Sequence, residues 1–388
     1  MTTILTIMSK YRISYMKVGV GDGMKAAVLR GYKEPLSIET LDVLPPRTGE
    51  VLVRFAASGV CHSDMTRIEG ARPSALPIVL GHEASAYVEE VGPGVDDLIP
   101  GDRVVMSFLY DCGRCYYCRS GHPNLCEVGT GMLRGGTMPD GTTRFRNGDE
   151  EIHHMTVSSF AEKSVVPARC ATKIPDEVPM DVAALIGCGV LTGSGAVFNA
   201  AVVRPGDSVL VVGAGGVGLN AVQAAAISGA SVILVSDLNE EKLAMACDFG
   251  ATHTVNPSNT DPVAMARELT GGRGVDFAIE ALGHKVTIRQ CYDAIRPAGK
   301  AIVVGAAEIG SCCEIESLTL PFTEKVLTGS MYGGARPRLD VERLVNLYLD
   351  KKLRLDELIS QTYRLDQINE AFHDLHDGKL ARGLIRYE

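Results

Sequence analysis

Four cysteines within one short segment carry the most specific chemical signal in this chain. They are spaced as Cys112-x2-Cys115-x2-Cys118-x7-Cys126. Four soft thiolates in one lobe can close a tetrahedral shell around Zn²⁺ and leave no position open for a substrate. The alternative is a disulfide cluster or a set of reactive thiols. Because nothing else in the chain is typical of a secreted protein, the spacing predicts a structural zinc site.

A second group of metal-binding residues is spread along the chain. It consists of Cys61, His82 in a Gly-His-Glu sequence, and Cys188 in a Gly-Cys-Gly sequence. Two thiolates and one imidazole leave a fourth position for water or substrate, as in catalytic zinc sites. Taken singly, each cysteine could be a small buried hydrophobic residue, and the histidine a hydrogen-bonded core residue. Together with the four-cysteine segment, they predict an open, catalytic zinc site.

A glycine-rich turn, Gly213-Ala-Gly215-Gly-Val-Gly218, follows the apolar run 208–212 and precedes a helical stretch. The three glycines would allow a tight turn, a close approach of the backbone to a pyrophosphate, and close packing of helix on strand. Asp237 ends the next apolar run, where a carboxylate can accept both ribose hydroxyls and repel a 2′-phosphate. The pattern favours NAD over NADP, although Asp237 could also be an ordinary turn residue.

The elements that must position these residues change character along the chain. Short β-type runs broken by Gly and Pro extend from residue 24 to about residue 187. From about residue 190, apolar runs alternate with helical stretches, which is typical of a parallel, doubly wound sheet. The predicted strands of this second part are 208–212, 231–236, 253–255, 275–280 and 300–304.

The sequence therefore predicts an α/β protein with two domains. A β-rich domain would comprise residues 24–188 and be completed by residues 332–388, because the last helix and strand are too few to form a third domain. A Rossmann domain would comprise residues 189–331. Residues 1–23 are predicted to be an N-terminal extension, since the run that begins at Met24 reads as the first strand.

Composition narrows the classes of function. The chain has 388 residues, is 46% hydrophobic and has a net charge of −9, with no basic run that could follow a phosphate backbone. We therefore expect no nucleic-acid binding, and we expect no membrane span because no apolar run reaches the ~20 residues that a span needs. The cysteines outside the two zinc sets show no disulfide framework, which favours a reducing, cytoplasmic location. They are Cys170, Cys247, Cys291, Cys312 and Cys313.

With these motifs in place, the chain from Met24 to Glu388 resembles the zinc-dependent alcohol dehydrogenases of the medium-chain dehydrogenase/reductase superfamily. The segment Gly136–Phe145, followed by Ile152-His-His154, resembles the loop of the dimeric, long-loop branch. The resemblance implies a GroES-like catalytic domain, a Rossmann coenzyme domain, an active site between them and a homodimer. It implies NAD and two Zn²⁺ per subunit as cofactors, and primary alcohols and aldehydes as substrates.

The resemblance also implies roles for single residues. Ser63 would hydrogen-bond the alcohol oxygen, Asp64 would contact a zinc ligand, and Glu83 would lie beside the catalytic zinc. The substrate pocket would be formed by Phe108, Met155 and Thr156. His62 and Arg382 would contact the pyrophosphate, Lys242 the adenosine ribose, and Thr192 and Val217 the nicotinamide. The implied cofactor-binding set is His62, Thr192, Gly213, Gly215, Gly216, Val217, Gly218, Asp237, Lys242 and Arg382.

Two positions leave questions open. Thr66 stands where the best-known members of the family have a histidine that relays the alcohol proton, and a hydroxyl cannot hold the proton as a base. Arg72, at the implied mouth of the pocket, could contact an acidic substrate arm or be a solvated surface residue. The alternatives for function are a glutathione-dependent formaldehyde dehydrogenase, a polyol dehydrogenase and a non-catalytic, zinc-stabilised binding protein.

Overall fold

Two sheet systems fill the N-terminal half of the chain in the computed structural model, which describes residues 23–388. All but the last residue of the expected N-terminal extension thus lie outside the described residues. The strands are β1 (Met24–Leu29), β2 (Ser37–Val43), β3 (Glu50–Val60), β4 (Ile78–Val79), β5 (Glu83–Val91), β6 (Arg103–Met106), β7 (Phe145–Asn147), β8 (Glu150–His154), β9 (Lys163–Pro167) and β10 (Ala171–Lys173). Strands β1, β2, β7, β8 and β4 form a closed barrel. The β-rich character that the sequence predicted for this part is confirmed.

A six-stranded parallel sheet forms the second half. Its strands are β11 (Ser208–Val212), β12 (Val232–Ser236), β13 (His253–Val255), β14 (Val275–Glu280), β15 (Ile295–Val303) and β16 (Val326–Gly329). They are arranged in the order β13-β12-β11-β14-β15-β16. All five residues of β11 are buried, as expected where helices cover both faces of a parallel sheet. The predicted parallel, doubly wound sheet is confirmed, and the sequence missed only β16, which is short and partly exposed.

The C-terminal segment returns to the first half of the molecule. Strands β17 (Ile359–Tyr363) and β18 (Arg382–Arg386) join the sheet whose order is β10-β6-β5-β3-β18-β17, with β9 also paired to β3. The register pairs Gly383 in β18 with Val60 in β3. This pairing brings Arg382 close to Cys61, which follows β3 directly.

Twelve α-helical segments connect the strands among the described residues. They are α1 (His62–Ile68), α2 (Tyr116–Arg119), α3 (Glu127–Gly135), α4 (Met180–Leu185), α5 (Leu191–Gly195), α6 (Gly216–Ile227), α7 (Glu240–Asp248), α8 (Pro262–Leu269), α9 (Lys285–Ala294), α10 (Thr319–Thr323), α11 (Pro337–Leu349) and α12 (Ile368–His376).

One long helix runs from Met180 to Ala201, because two π-helical segments, Ile186–Val190 and Ala196–Ala201, continue α4 and α5. By length and composition this 22-residue helix could cross a membrane, so the expectation that no apolar run is long enough was wrong. However, 83% of its apolar window is buried inside the protein. Its residues share one hydrophobic cluster with Val105 of the first sheet and Val209 of the parallel sheet. The helix therefore serves as a core element between the two halves.

Candidate active site and zinc centres

The structure brings Cys61, His82 and Cys188 together from three separate elements. Cys61 caps the N-terminus of α1, His82 directly precedes β5, and Cys188 lies in the π-helical segment Ile186–Val190. Their ligand atoms all lie within 4.8 Å of one another, and all three residues are buried. Short π-helical segments often occur at functional sites. The donor set and its spacing fit a zinc ion with three protein ligands and one open position.

Asp64 orients the histidine of this set. Its Oδ1 lies 3.1 Å from His82 Nδ1, and also accepts a hydrogen bond from the Gly81 amide. Burial lowers the pKa of His82, but the Asp64 carboxylate and the Cys61 sulfur together outweigh this effect and raise the pKa to about 10. With Nδ1 directed at the carboxylate, Nε2 is left as the ligand atom, and it lies 3.3 Å from Cys188 Sγ.

Ser63 and Thr66 lie on the first turns of α1, beside this set. Ser63 Oγ is 3.7 Å from Cys61 Sγ, which places the hydroxyl next to the metal ligands. The Thr66 hydroxyl donates a hydrogen bond to the backbone oxygen of Ser63, with a distance of 3.0 Å. Because its proton is already held by the helix backbone, Thr66 is poorly arranged to carry a proton away.

Glu83 and Arg382 form a buried pair on the other side of the cysteines. Glu83 Oε2 accepts the Gly189 amide hydrogen at 3.1 Å, while Oε1 has no hydrogen-bond partner among the described residues. Arg382 Nε lies 3.8 Å from this Oε1. Burial raises the pKa of Glu83, and the positive charge of Arg382 opposes that effect. An orphaned, buried carboxylate oxygen beside three metal-type ligands is a further feature that fits a metal ion.

The glycine-rich turn has the geometry that its sequence predicted. Gly213 has a φ of +97°, and a Cβ on Gly218 would lie 1.7 Å from the Gly213 oxygen, so neither position tolerates a side chain. By contrast, a Cβ on Gly215 would meet no atom within 4 Å. The space beside Gly215, at the N-terminus of α6 and the carboxyl end of β11, fits an approaching phosphate group.

Arg382 connects this turn with the zinc ligands. A Cβ on Gly216 would lie 2.4 Å from Arg382 Nε, and a Cβ on Gly189 would lie 2.0 Å from its Nη2. The guanidinium therefore packs against both the dinucleotide turn and the backbone next to Cys188. Because Arg382 is buried and positively charged, it can hold an anionic group between the two sites.

Contacts and charges relate other residues of the expected cofactor set to the glycine-rich turn or to Arg382. Asp237 accepts the amide hydrogens of Ala214 at 2.7 Å and Asn239 at 2.9 Å, which fixes its carboxylate against the glycine-rich turn. Partial burial, together with the positive charges of Arg382 and Lys242, lowers the pKa of His62. Close packing of α5 on α6 places Thr192 beside Val217, since a Cβ on Gly193 would lie 2.1 Å from the Val217 oxygen.

The three residues that were expected to form the substrate pocket have different surroundings. The Phe108 ring packs edge-on against His82, with 5.2 Å between ring centroids. Met155 is buried in a core cluster with Leu80 and Phe160. Thr156 is buried with a φ of +58° and a hydroxyl that has no hydrogen-bond partner among the described residues. Of the three, Phe108 is thus the one whose ring contacts a candidate zinc ligand.

Tyr332 is a site residue that sequence reasoning missed. Its ring lies 4.3 Å from the Phe108 ring, and its hydroxyl donates to the backbone oxygen of Gly187, next to Cys188. It has a φ of +54°, which is uncommon for a residue with a bulky side chain. The Gly-Gly sequence that follows Tyr332 was the available signal, because it marks a sharply turned segment.

The four-cysteine segment forms a compact lobe at a distance along the chain from the other ligands. The Sγ atoms of Cys112, Cys115, Cys118 and Cys126 all lie within 4.8 Å of one another. Backbone amides donate to three of the sulfurs; hydrogen bonds from Cys118 and Glu127 lower the pKa of Cys115 to about 6. Converging sulfurs that accept amide hydrogens fit a closed, four-thiolate zinc site.

Comparison with known proteins places these features in a family. Residues 47–176 match the family model described as alcohol dehydrogenase GroES-like domain, and residues 216–350 match the model described as zinc-binding dehydrogenase. The NDMA-dependent alcohol dehydrogenase of Amycolatopsis methanolica is 38% identical over 367 residues, which cover 94% of this chain and 98% of that protein. The S-(hydroxymethyl)glutathione dehydrogenase of Komagataella pastoris is 40% identical, and the match covers 93% of this chain and 97% of that protein. The crystal structure of benzyl alcohol dehydrogenase from Acinetobacter calcoaceticus has a TM-score of 0.90 at 35% identity, covering 94% of this chain and 99% of that one.

Proposed function

Because the chain belongs to the zinc-dependent alcohol dehydrogenases of the medium-chain dehydrogenase/reductase superfamily, we propose that it interconverts primary alcohols and aldehydes with NAD as hydride carrier. The single observation that carries this proposal is Arg382, which packs against both the Cys61–His82–Cys188 set and the glycine-rich turn. An open metal site and a dinucleotide site joined in this way fit an enzyme that transfers hydride between substrate and cofactor. In the proposed organisation, residues 24–188 and 332–388 form the catalytic domain and residues 189–331 the coenzyme domain.

The chain's own residues supply positioning and proton handling. When bound, zinc supplies Lewis acidity that favours loss of the alcohol proton, and NAD supplies the hydride acceptor. Ser63 Oγ would accept the hydrogen bond of the substrate hydroxyl and relay its proton, releasing its own hydroxyl proton toward solvent as it takes up that of the substrate, while Asp64 holds the His82 ring. Arg382 supplies the positive charge that faces the cofactor diphosphate, His62 contacts the diphosphate as a neutral imidazole, and Phe108 forms an apolar wall beside the substrate.

A substitution of Asp237 tests the proposed preference for NAD over NADP. Replacement by serine is expected to lower the NAD preference, measured as the ratio of kcat/KM for NAD to that for NADP, by about 10- to 100-fold. The substitution removes charge-assisted hydrogen bonds worth roughly 1.5–3 kcal/mol and the repulsion of a 2′-phosphate. The exposed Asp248, changed to serine, is the matched control and should leave the ratio unchanged. Equal efficiency of the wild-type protein with both cofactors would contradict the assignment of NAD.

The proton path gives a second test. Ser63→Ala is expected to reduce alcohol oxidation by about 10²- to 10⁴-fold, the range for loss of a group that transfers a proton. Thr66→Val should have only a small effect, because the Thr66 hydroxyl donates to the helix backbone. Thr66→His should weaken the dependence of the rate on buffer concentration, since an imidazole with a pKa near 6.5 can accept the proton.

These variants are compared by the oxidation rate against buffer concentration at fixed pH. A deuterated alcohol shows whether hydride transfer limits the rate. A large loss of activity in Thr66→Val would mean that this hydroxyl is a required relay, and the proposed path would be wrong.

We also propose a homodimer in the cytoplasm. Strand β16 is an edge of the parallel sheet, and unpaired edges favour association with another chain. Large apolar side chains are exposed on β16 and on the segment that precedes it in the chain. Such a patch supports a surface that a second subunit covers. None of the eleven cysteines, all within the described residues, forms a disulfide, as expected in a reducing compartment. The exposed apolar residues of this region are Ile309, Leu318, Leu320, Phe322 and Val326.

The identity of the substrate distinguishes the proposed alcohol dehydrogenase from its alternative, a glutathione-dependent formaldehyde dehydrogenase. The relative from Komagataella pastoris supports S-(hydroxymethyl)glutathione as a second candidate substrate. The deciding experiment is a spectrophotometric scan for NADH formation across primary aliphatic and aromatic alcohols, with formaldehyde tested in the presence and absence of glutathione. Oxidation that requires glutathione would favour the alternative. Absence of NADH formation with every substrate, in protein that contains zinc, would overturn the proposal.

A further inference from the structure

Arg67 is a buried arginine that forms no ion pair with any residue of the described range 23–388. Its side chain lies on α1, and the residue is only 6% exposed. Nη1 donates a hydrogen bond to Ser74 Oγ, whereas the buried Nε has no hydrogen-bond partner in the part of the chain that the structure describes. Among residues 23–388, no carboxylate oxygen lies within 4.0 Å of its guanidinium. Since an uncompensated buried charge is strongly unfavourable, the site is incomplete without an anion.

The position of Arg67 on α1 relates it to the active site. It follows Ser63 by four residues, so the two side chains share one face of the helix, separated by about 6 Å along the axis. Ser63 Oγ lies 3.7 Å from Cys61 Sγ. The Arg67 side chain therefore leaves α1 about one helical turn after Ser63, whose hydroxyl lies beside the candidate zinc ligands.

A second unpaired cation lies beside the first. The Arg72 amide donates to the Thr66 oxygen at 3.1 Å, which folds the segment after α1 back over this end of the helix. Arg72 is exposed and, like Arg67, has no carboxylate within 4.0 Å among residues 23–388. Burial, and then the charge of Arg72, lowers the pKa of Arg67; the Asp64 carboxylate opposes both. Two neighbouring cations, with Asp64 as a carboxylate near Arg67 that is not in contact with its guanidinium, leave an excess of positive charge here.

We infer that Arg67, assisted by Arg72, binds an anionic group at the far end of the substrate, so that the preferred alcohols or aldehydes carry a carboxylate or a phosphate. This inference rests on the proposed function, and it names the substrate class of the same site. Guanidinium groups bind both oxyanions through charge-assisted hydrogen bonds. Arg67 is the specificity-determining residue, because its Nε is the buried donor without a partner.

The first test compares matched substrates with the zinc-loaded protein and NAD. The measured quantity is the ratio of kcat/KM for an ω-hydroxycarboxylate to that for the 1-alkanol of equal chain length, from 4-hydroxybutanoate to 8-hydroxyoctanoate. ω-Hydroxyalkyl phosphates of the same lengths show which oxyanion is preferred. We expect a ratio of at least about 10 for one anionic series, and a fall in this ratio of about 10- to 100-fold in Arg67→Gln.

The variants distinguish charge recognition from a structural role. Arg67→Lys should keep part of the preference because it keeps the charge, and Arg364→Gln, an exposed arginine elsewhere, should leave the ratio unchanged. Should Arg67→Gln fail to fold, Arg72→Gln should still lower the ratio. A wild-type protein that oxidises the neutral alkanols as efficiently as both anionic series would overturn the inference and leave the proposed function intact.

A binding measurement separates this inference from the proposed function. Titration calorimetry compares hexanoate with its uncharged analogue hexanamide in wild-type protein and in Arg67→Gln. Selective binding of hexanoate that is lost in the variant would support the anion site even if no alcohol were oxidised. Equal binding of hexanoate and hexanamide by the wild-type protein would overturn it.

Discussion

Replacing Cys61 by alanine is expected to lower kcat/KM for alcohol oxidation by at least about 10³-fold while leaving the protein folded. A zinc Lewis acid contributes several kcal/mol to charge stabilisation, and loss of a thiolate from a three-ligand set removes the metal or displaces it. The three ligand atoms lie within 4.8 Å of one another in a buried site, so no nearby described cysteine can replace Cys61. The zinc content should fall from two ions to one per chain.

The matched control is Cys247→Ala, because Cys247 is an exposed cysteine on α7 and belongs to neither ligand set. This variant should keep both zinc ions and full activity. Elemental analysis and steady-state kinetics on the two variants provide the measurement. An active Cys61→Ala protein, or one with an unchanged zinc content, would show that the Cys61–His82–Cys188 set is not the catalytic metal site.

Replacing Cys115 by serine should instead act on stability before chemistry. The binding free energy of a structural zinc is about 10–16 kcal/mol in zinc-finger peptides, and in such sites it is folding free energy. The sulfurs of Cys115 and Cys126 also cap the helices α2 and α3, so the lobe loses local order together with the metal. We expect one zinc to be lost and the midpoint of thermal unfolding to fall by about 10 °C or more.

The loss of order in the four-cysteine lobe of Cys115→Ser should also affect the candidate active site. The Asn124 side chain donates to the Met331 oxygen at 3.0 Å, next to Tyr332, which contacts both Phe108 and Gly187. Activity in Cys115→Ser should therefore fall as the lobe loosens. The control is Cys312→Ser, an exposed cysteine outside both ligand sets. Unchanged thermal stability and two zinc ions in Cys115→Ser would rule out a structural zinc in the lobe.

The two proposed zinc sites should also differ in how readily they release the metal. A set of three ligands with an open position lets a chelator attack the metal directly, whereas four thiolates close the shell. During treatment with a chelator, removal of the first zinc should therefore abolish activity. Removal of the second zinc should chiefly lower thermal stability. Loss of both in parallel would mean that the division into an open and a closed set is wrong.

The sequence by itself determined those features that depend on neighbours in the chain. The four cysteines of the lobe are separated by two, two and seven residues, so the local backbone alone can bring their sulfurs together. The glycine-rich turn could be recognised for the same reason, because its geometry depends on the backbone freedom of Gly213 and Gly218. The alternation of apolar runs and helical stretches predicted the parallel sheet, since it reports which residues each element buries.

Only the tertiary structure decided which distant residues meet. Pairing of β18 with β3 places Arg382 beside Cys61, and the turn at Tyr332 carries that ring onto Phe108. No periodicity in the sequence encodes such contacts, because they arise from the packing of whole sheets and helices. Burial is decided in the same way: the long apolar helix Met180–Ala201 became a core element, and Arg67 became a buried cation without a carboxylate partner among residues 23–388. A side chain's solvent exposure depends on what packs against it, and the sequence shows only what the residue is.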